Sequence, residues 1–413
     1  MIAFFKKKIS SNKNRTLVSN FISLLLLQGA NYILPMLTVP YLFRVLGAEK
    51  FGLISFASSI ILLLKVISEY GFNLSGTRDV ANNANNKEKL IEIFSSIMLV
   101  KFYLILFVLV VLTILIFSFD NLEKEYLLFY ITFGVVVGEA LFPKWFFQGM
   151  EQMKYITYIN IGVKVFFTFC VFIFVHNEND YYIVPLLTSL GTILAGIISI
   201  ILIYSMFGIS FVKQNRQILL KYFKESWNIF LTEFMPNLYN NFSTILLGFL
   251  VNMQDVGYYS LATRVIGIFN SLLQVLKTVT YPYLNKDFSK FKIITKIIVG
   301  TGFILSFILF VFSSFFMPLI FGTSSIESLN LIYILALSPL FTSILFAFGT
   351  NKLLILRKDK DFRNISFQFS IFGFILSLIF VPIYGIYGAA VTLILTRALM
   401  AYLVFKKSAS INV

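Results

Sequence analysis

One cysteine and one histidine are all that a chain of 413 residues contains of either. Cys170 alone excludes a disulfide framework and any cysteine-based metal site. His176 sits in the polar stretch His176–Asp180 and reads as a solvated loop residue, which removes a Ser-His-Asp triad and a histidine-ligated metal. Charge is scarce as well, at 13% of residues, against roughly 25% in soluble domains. Such a chain cannot cover its surface with polar groups in water, so its solvent is lipid. Only 9 prolines interrupt it, so its apolar segments run nearly unbroken. No G-x-x-x-x-G-K-S/T loop is present, which leaves ATP hydrolysis unsupported. No stretch outside the apolar runs is long enough for a catalytic domain, so the chain reads as a transporter and not an enzyme.

What the chain has is hydrocarbon. Hydrophobic residues make up 58%, with 49 Phe and 21 Tyr, and the mean hydropathy is +0.86. A span needs about 20 mainly apolar residues. Twelve candidates start near Val18, Phe51, Ile91, Tyr126, Tyr155 and Tyr181, then near Trp227, Val256, Ile293, Leu329, Phe362 and Gly385. Met1–Asn20 is basic, but the apolar stretch after it is too long for a signal peptide and lacks a cleavage pattern, so it is expected to stay as the first span. Pro35 and Pro40 are expected to interrupt that span.

The stretch FGLISFA at Phe51–Ala57 returns as VGYYSLA at Val256–Ala262, about half a chain length later. Gly52, Ser55 and Ala57 match Gly257, Ser260 and Ala262. Six spans precede the basic linker 211–225 and six follow it. An even number per half predicts parallel repeats: an all-α membrane protein of two six-helix bundles, 1–210 and 226–413, related by a pseudo-two-fold axis along the membrane normal. The net charge of +15 sits between apolar runs, which argues for topology and against nucleic acid. With the N-terminus inside, the outer loops keep only Arg44, Lys50 and Lys124, while most Lys and Arg, Lys6, Lys7 and Lys8 among them, fall inside. Both termini are therefore expected to face the cytoplasm.

Six cations remain within predicted spans: Lys65, Lys101, Lys164, Arg264, Lys277 and Arg397. Glu69, Glu139 and Glu233 join them. A charge at the bilayer centre costs about 2.5–3.5 kcal/mol on insertion scales. Lys65 and Glu69, four apart on one helix face, form a pair on one reading. Lys101, Lys277 and Glu69 lie near enough to the cytoplasmic boundary to snorkel; on the other reading Lys65, Lys101 and Lys277 belong to a cationic cavity that binds the substrate. Lys164 and Arg397, nearer mid-span, and Arg264, in an outer half, are expected to line a cavity. The surplus of cations fits an anionic passenger, since Arg and Lys both pair with phosphate oxygens. Glu139 and Glu233 either balance the cations or bind a coupling H+ or Na+. No other cofactor is called for.

Three stretches carry a family likeness: LPMLTVPYLFRVLGAEKFG at Leu34–Gly52, EYGFNLSGTRDVA at Glu69–Ala81 and PKWFFQGMEQM at Pro143–Met153. In this order and spacing the chain resembles the Wzx-type polysaccharide flippases of the multidrug/oligosaccharidyl-lipid/polysaccharide exporter superfamily, with the MATE-like fold that this implies. The resemblance implies a bacterial inner-membrane flippase for undecaprenyl-diphosphate-linked oligosaccharide, working by alternating access and alongside a polysaccharide polymerase and a chain-length regulator. Arg78 and Lys144 would then stand at the cytoplasmic mouth, either receiving the head group or anchoring topology. An ion-coupled multidrug-type exporter would share the helix count, with acidic residues more often dominating its cavity. A lipid II flippase would more often have fourteen spans.

Overall fold

The computed structural model describes residues 12–411, and every regular element among them is helical. Lys6, Lys7 and Lys8 lie outside the described residues. Apart from the single turn Asp120–Glu123 and the 3-10 segments, the helices in chain order are α1 (Asn12–Glu69), α2 (Phe72–Asn82), α3 (Lys87–Ser118), α4 (Tyr126–Leu141), α5 (Lys144–Gly149), α6 (Met153–Phe174) and α7 (Ile183–Phe207). They continue with α8 (Arg216–Leu250), α9 (Met253–Lys286), α10 (Phe291–Phe321), α11 (Leu329–Leu335), α12 (Ser338–Ile344), a π-helical segment (Leu345–Leu354) and α13 (Asp359–Ala409). An all-helical build follows from the solvent: in lipid each backbone N–H and C=O must be satisfied within its own segment.

Among the described residues, 9 helical stretches are long and apolar enough to cross a membrane. Two of them, Ile33–Asn82 and Asp359–Ala409, run to 50 and 51 residues, roughly twice what one crossing needs. Each contains a glycine with non-helical backbone, Gly47 (φ 70°, ψ 173°) and Gly385 (φ 54°, ψ −132°). This corrects the expectation placed on Pro35 and Pro40, because the helix runs through both and departs from helical geometry at Gly47. Proline costs a helix one N–H bond, which neighbouring helices can offset. A positive φ reverses the backbone locally and is open to glycine without steric cost.

The helices group into two compact units. Among the described residues, the first comprises 12–35, Ile61–Val175 and Tyr182–Glu233; the second comprises Met36–Ile60, His176–Tyr181 and 234–411. Contacts thus cut across chain order, and Met36–Ile60 packs with the C-terminal helices.

Lipid tails are as apolar as leucine, so helices join here through close approach and hydrogen bonds. In the first unit, α4 and α7 meet through small residues. A Cβ on Gly134 would come within 2.7 Å of Ser189 Cβ, and Ser189 Oγ donates to the Ile131 carbonyl at 2.6 Å. Two of the sequence stretches singled out above also pack together there. A Cβ on Gly76 would touch the Trp145 ring at 2.9 Å, one on Gly149 would touch Val80 at 2.6 Å, and Thr77 Oγ1 donates to Gln148 Oε1 at 3.2 Å. Between α1 and α2 the chain turns through two left-handed residues, Tyr70 (φ 47°) and Gly71 (φ 75°). The Tyr70 ring is stacked between Phe223 at 4.3 Å and Phe230 at 4.8 Å, both from α8.

In the second unit the two copies of the repeated stretch lie against each other. A Cβ on Gly52 of α1 would stand 2.6 Å from the Gly257 nitrogen of α9 and nearer still to the Met253 carbonyl; one on Gly257 would strike the Ala48 carbonyl. The repeat is therefore a helix-crossing motif whose two glycines let backbones touch.

Candidate functional site

Ionisable side chains within the helices of the first unit gather around one carboxylate, whereas three cations of the second unit each have a separate set of partners. In the first unit Glu139, near the end of α4, is the hub. Lys144 Nζ donates to its Oε2 at 2.5 Å, and Lys65 Nζ stands 3.6 Å from its Oε1. Pro143 and the break before α5 turn Lys144 back towards that carboxylate. Lys164 of α6 and Lys101 of α3 lie within electrostatic reach of Glu139 too. Glu69 lies within electrostatic reach of Lys65 and Lys101, and Glu233 of α8 within reach of Glu69 and Lys101. Four lysines and three carboxylates, drawn from α1, α3, α4, α5, α6 and α8, thus form one mixed cluster.

Two expectations are corrected here. Lys65 forms its ion pair with Glu139 across the unit and not with Glu69 one turn away, because the end of α4 brings a carboxylate within reach. Lys101 does not snorkel, since it is 1% exposed and packed inside the protein. Lys164 is exposed at the edge of the cluster, and Arg78 is exposed on α2, donating to Asp79 Oδ1 at 2.9 Å.

The second unit holds three cations in a different setting. Arg264 of α9 lies over the Phe51 ring at 4.7 Å and donates to Ser55 Oγ at 3.3 Å. The first copy of the repeat therefore cradles the arginine that follows the second copy. Arg397 of α13 donates to Ser338 Oγ and, at 3.5 Å, to Asn240 Oδ1; Asn270 Nδ2 also donates to Ser338 at 3.1 Å. Lys277 Nζ sits 4.8 Å above the Phe346 ring. No carboxylate among the described residues forms an ion pair with any of the three. A guanidinium has five N–H donors and a fork that matches phosphate. A hydroxyl, an amide oxygen and a ring face orient such a group without cancelling its charge.

Sequence reasoning did not single out Asn240, Asn270 and Ser338. Asn and Ser in an otherwise apolar run were the available signal. It also passed over the π-helical segment, where the buried Asn351 donates to Thr280 Oγ1 at 2.9 Å. Such segments often mark functional sites.

The family model described as "Polysaccharide biosynthesis protein" matches residues 17–288. A protein of Escherichia coli (strain K12) is 27% identical over 401 residues, 95% of this chain and 97% of that one. One of Shigella dysenteriae is 30% identical over 270 residues, 65% of this chain and 67% of that one. Both carry the name "Putative O-antigen transporter". Among solved structures, the lipid II flippase MurJ in an inward closed conformation aligns with a TM-score of 0.69 at 14% identity, covering 95% of this chain and 87% of that one. An inward-facing multidrug resistance MATE family transporter of the MOP superfamily also gives 0.69, at 12% identity, covering 91% and 94%. At these identities the likeness concerns the fold.

Proposed function

Because the chain belongs to the polysaccharide biosynthesis protein family, we propose that it is a flippase for undecaprenyl-diphosphate-linked oligosaccharide repeat units. It carries them from the cytoplasmic to the outer leaflet of a bacterial inner membrane, for O-antigen, capsule or exopolysaccharide assembly. It is a multi-pass membrane transporter, and its relatives are transporters. The observation that carries the cargo reading is the trio Arg264, Lys277 and Arg397, membrane-embedded cations whose described partners are all uncharged. A diphosphate supplies the negative charge that such groups lack. The cluster around Glu139 fits a different task. A carboxylate already held by Lys144 and Lys65 balances charge within the first unit and is poorly placed to release its cations for a coupling H+ or Na+. The energy source is left to the membrane potential, an ion gradient or removal of product outside.

Twelve crossings follow if the segments on either side of Gly47 and of Gly385 each span, and if α8 does too. Six crossings on either side of the 211–225 linker, with both termini cytoplasmic, then agree with the distribution of lysine and arginine. Polysaccharide polymerase and chain-length regulator are the expected working partners. The multidrug-type alternative calls for a cavity dominated by carboxylates, and the second unit's trio has the opposite sign. The test is deletion of the gene followed by analysis of lipid-linked saccharides. The reading expects a complete repeat unit on undecaprenyl diphosphate to accumulate on the inner leaflet, with export restored by the wild-type gene and not by Arg264→Ala. Unchanged surface polysaccharide in the deletion strain would end it.

A further inference from the structure

We propose that a groove between α3 and the start of α8 is a binding site for an anionic glycerophospholipid, with the head-group phosphate held by Lys213 and Arg216. The groove lies wholly within the first unit and has a volume of about 530 Å³, within the roughly 300–1,000 Å³ range of ligand sites. Val100, Leu104, Leu219, Leu220 and Phe223 line it with hydrocarbon, and its two cations flank the start of α8, Lys213 just before it and Arg216 as its first residue. Neither Lys213 nor Arg216 is ion-paired with a described carboxylate, and both are exposed.

A linker whose task is only to orient the chain needs positive charge and nothing more. This one is also fastened over α3. Gly208 ends α7 in a left-handed turn, Val212 N–H donates to Ser95 Oγ at 3.0 Å, and Gln214 Nε2 donates to the Val212 carbonyl at 3.1 Å. The fastening holds the cations beside an apolar trough. That is the pattern of a phosphate diester on an acyl chain, and basic pockets on the cytoplasmic side of membrane helices are suited to anionic head groups. A glycan would need several hydroxyl and amide partners, and besides the two cations the lining offers only Tyr103 and Gln214 among valine, leucine and phenylalanine. The inference does not depend on what the protein transports.

Native mass spectrometry of the full-length protein in detergent, titrated with phosphatidylglycerol or phosphatidylcholine of matched chains, tests it. Phosphatidylglycerol should be retained about tenfold better. Lys213→Ala with Arg216→Ala should bring retention down to the phosphatidylcholine level at unchanged melting temperature. Leu220→Trp, which fills the trough and leaves both cations, should lower retention of phosphatidylglycerol as well; should that variant not fold, the double alanine variant carries the test. Equal retention of the two lipids, or retention indifferent to the double variant, would overturn the site. So would displacement of phosphatidylglycerol by equimolar undecaprenyl diphosphate, which would make the groove an entrance for cargo.

Discussion

The charges around Glu139 and the charges around Arg264 and Arg397 are drawn from the same kinds of residue and face the same cost of leaving water. They meet it differently. In the first unit lysines and carboxylates interleave, and the closest contacts are ion pairs. In the second, each cation rests on neutral partners: a ring, a serine hydroxyl, an asparagine oxygen. A buried ion pair breaks badly when one member is removed, because the other is left without compensation. A cation oriented by neutral groups keeps its charge for a visitor. A charge inside a membrane protein therefore says little until its counter-charge has been located.

The comparison can be broken at several points. Arg264→Ala is expected to have the largest effect, lowering surface polysaccharide more than tenfold with membrane abundance intact; Arg264→Lys should keep part of the export. Normal glycan on cells carrying the alanine variant would remove the distinction between the units. Glu139→Gln should act first on stability. It leaves Lys65 and Lys144 facing a neutral amide, at a cost of about 3–5 kcal/mol, visible as a lower melting temperature in detergent and partly reversed by adding Lys65→Met. If this variant were as stable as the parent yet inactive, Glu139 would belong with the transport machinery.

Gly257→Ala should destabilise by about 1–3 kcal/mol through overpacking, since its methyl meets the Ala48 carbonyl. A melting temperature equal to the parent's would show that this crossing is looser than described. Lys164→Ala should be mildest, within about 1 kcal/mol of the parent's stability, as expected for an exposed member of an ion cluster. A loss of export from it as severe as that from Arg264→Ala would move Lys164 from the first group to the second.

Much of the helical layout was legible in the sequence because hydropathy and the backbone's need for internal hydrogen bonds act locally. Spans expected near Tyr126, Tyr155 and Val256 correspond to helices beginning at Tyr126, Met153 and Met253. Helix ends outside the hydrocarbon were less legible. The span expected from Trp227 belongs to a helix that begins at Arg216, since lipid sets how much of a helix must be apolar and not where it starts. The pairing of Lys65 with Glu139 was illegible because it depends on tertiary placement of α4 against α1. Proline at 35 and 40 drew attention away from Gly47, where an unusual φ does the bending. The repeat was visible, but its use was not: Gly52 and Gly257 match in sequence, and only packing reveals that each makes room for the other's helix.

Met36–Ile60 precedes nearly everything in the chain and yet packs among helices that come much later. During synthesis at about 5–20 residues per second, this segment leaves the ribosome roughly 10–40 s before its partner glycine on α9. Through that interval it must wait in the translocon or in lipid with its small-residue face uncovered. A ribosome stalled halfway would release a nascent product missing half of its own stitching, so severed halves should work only when co-expressed.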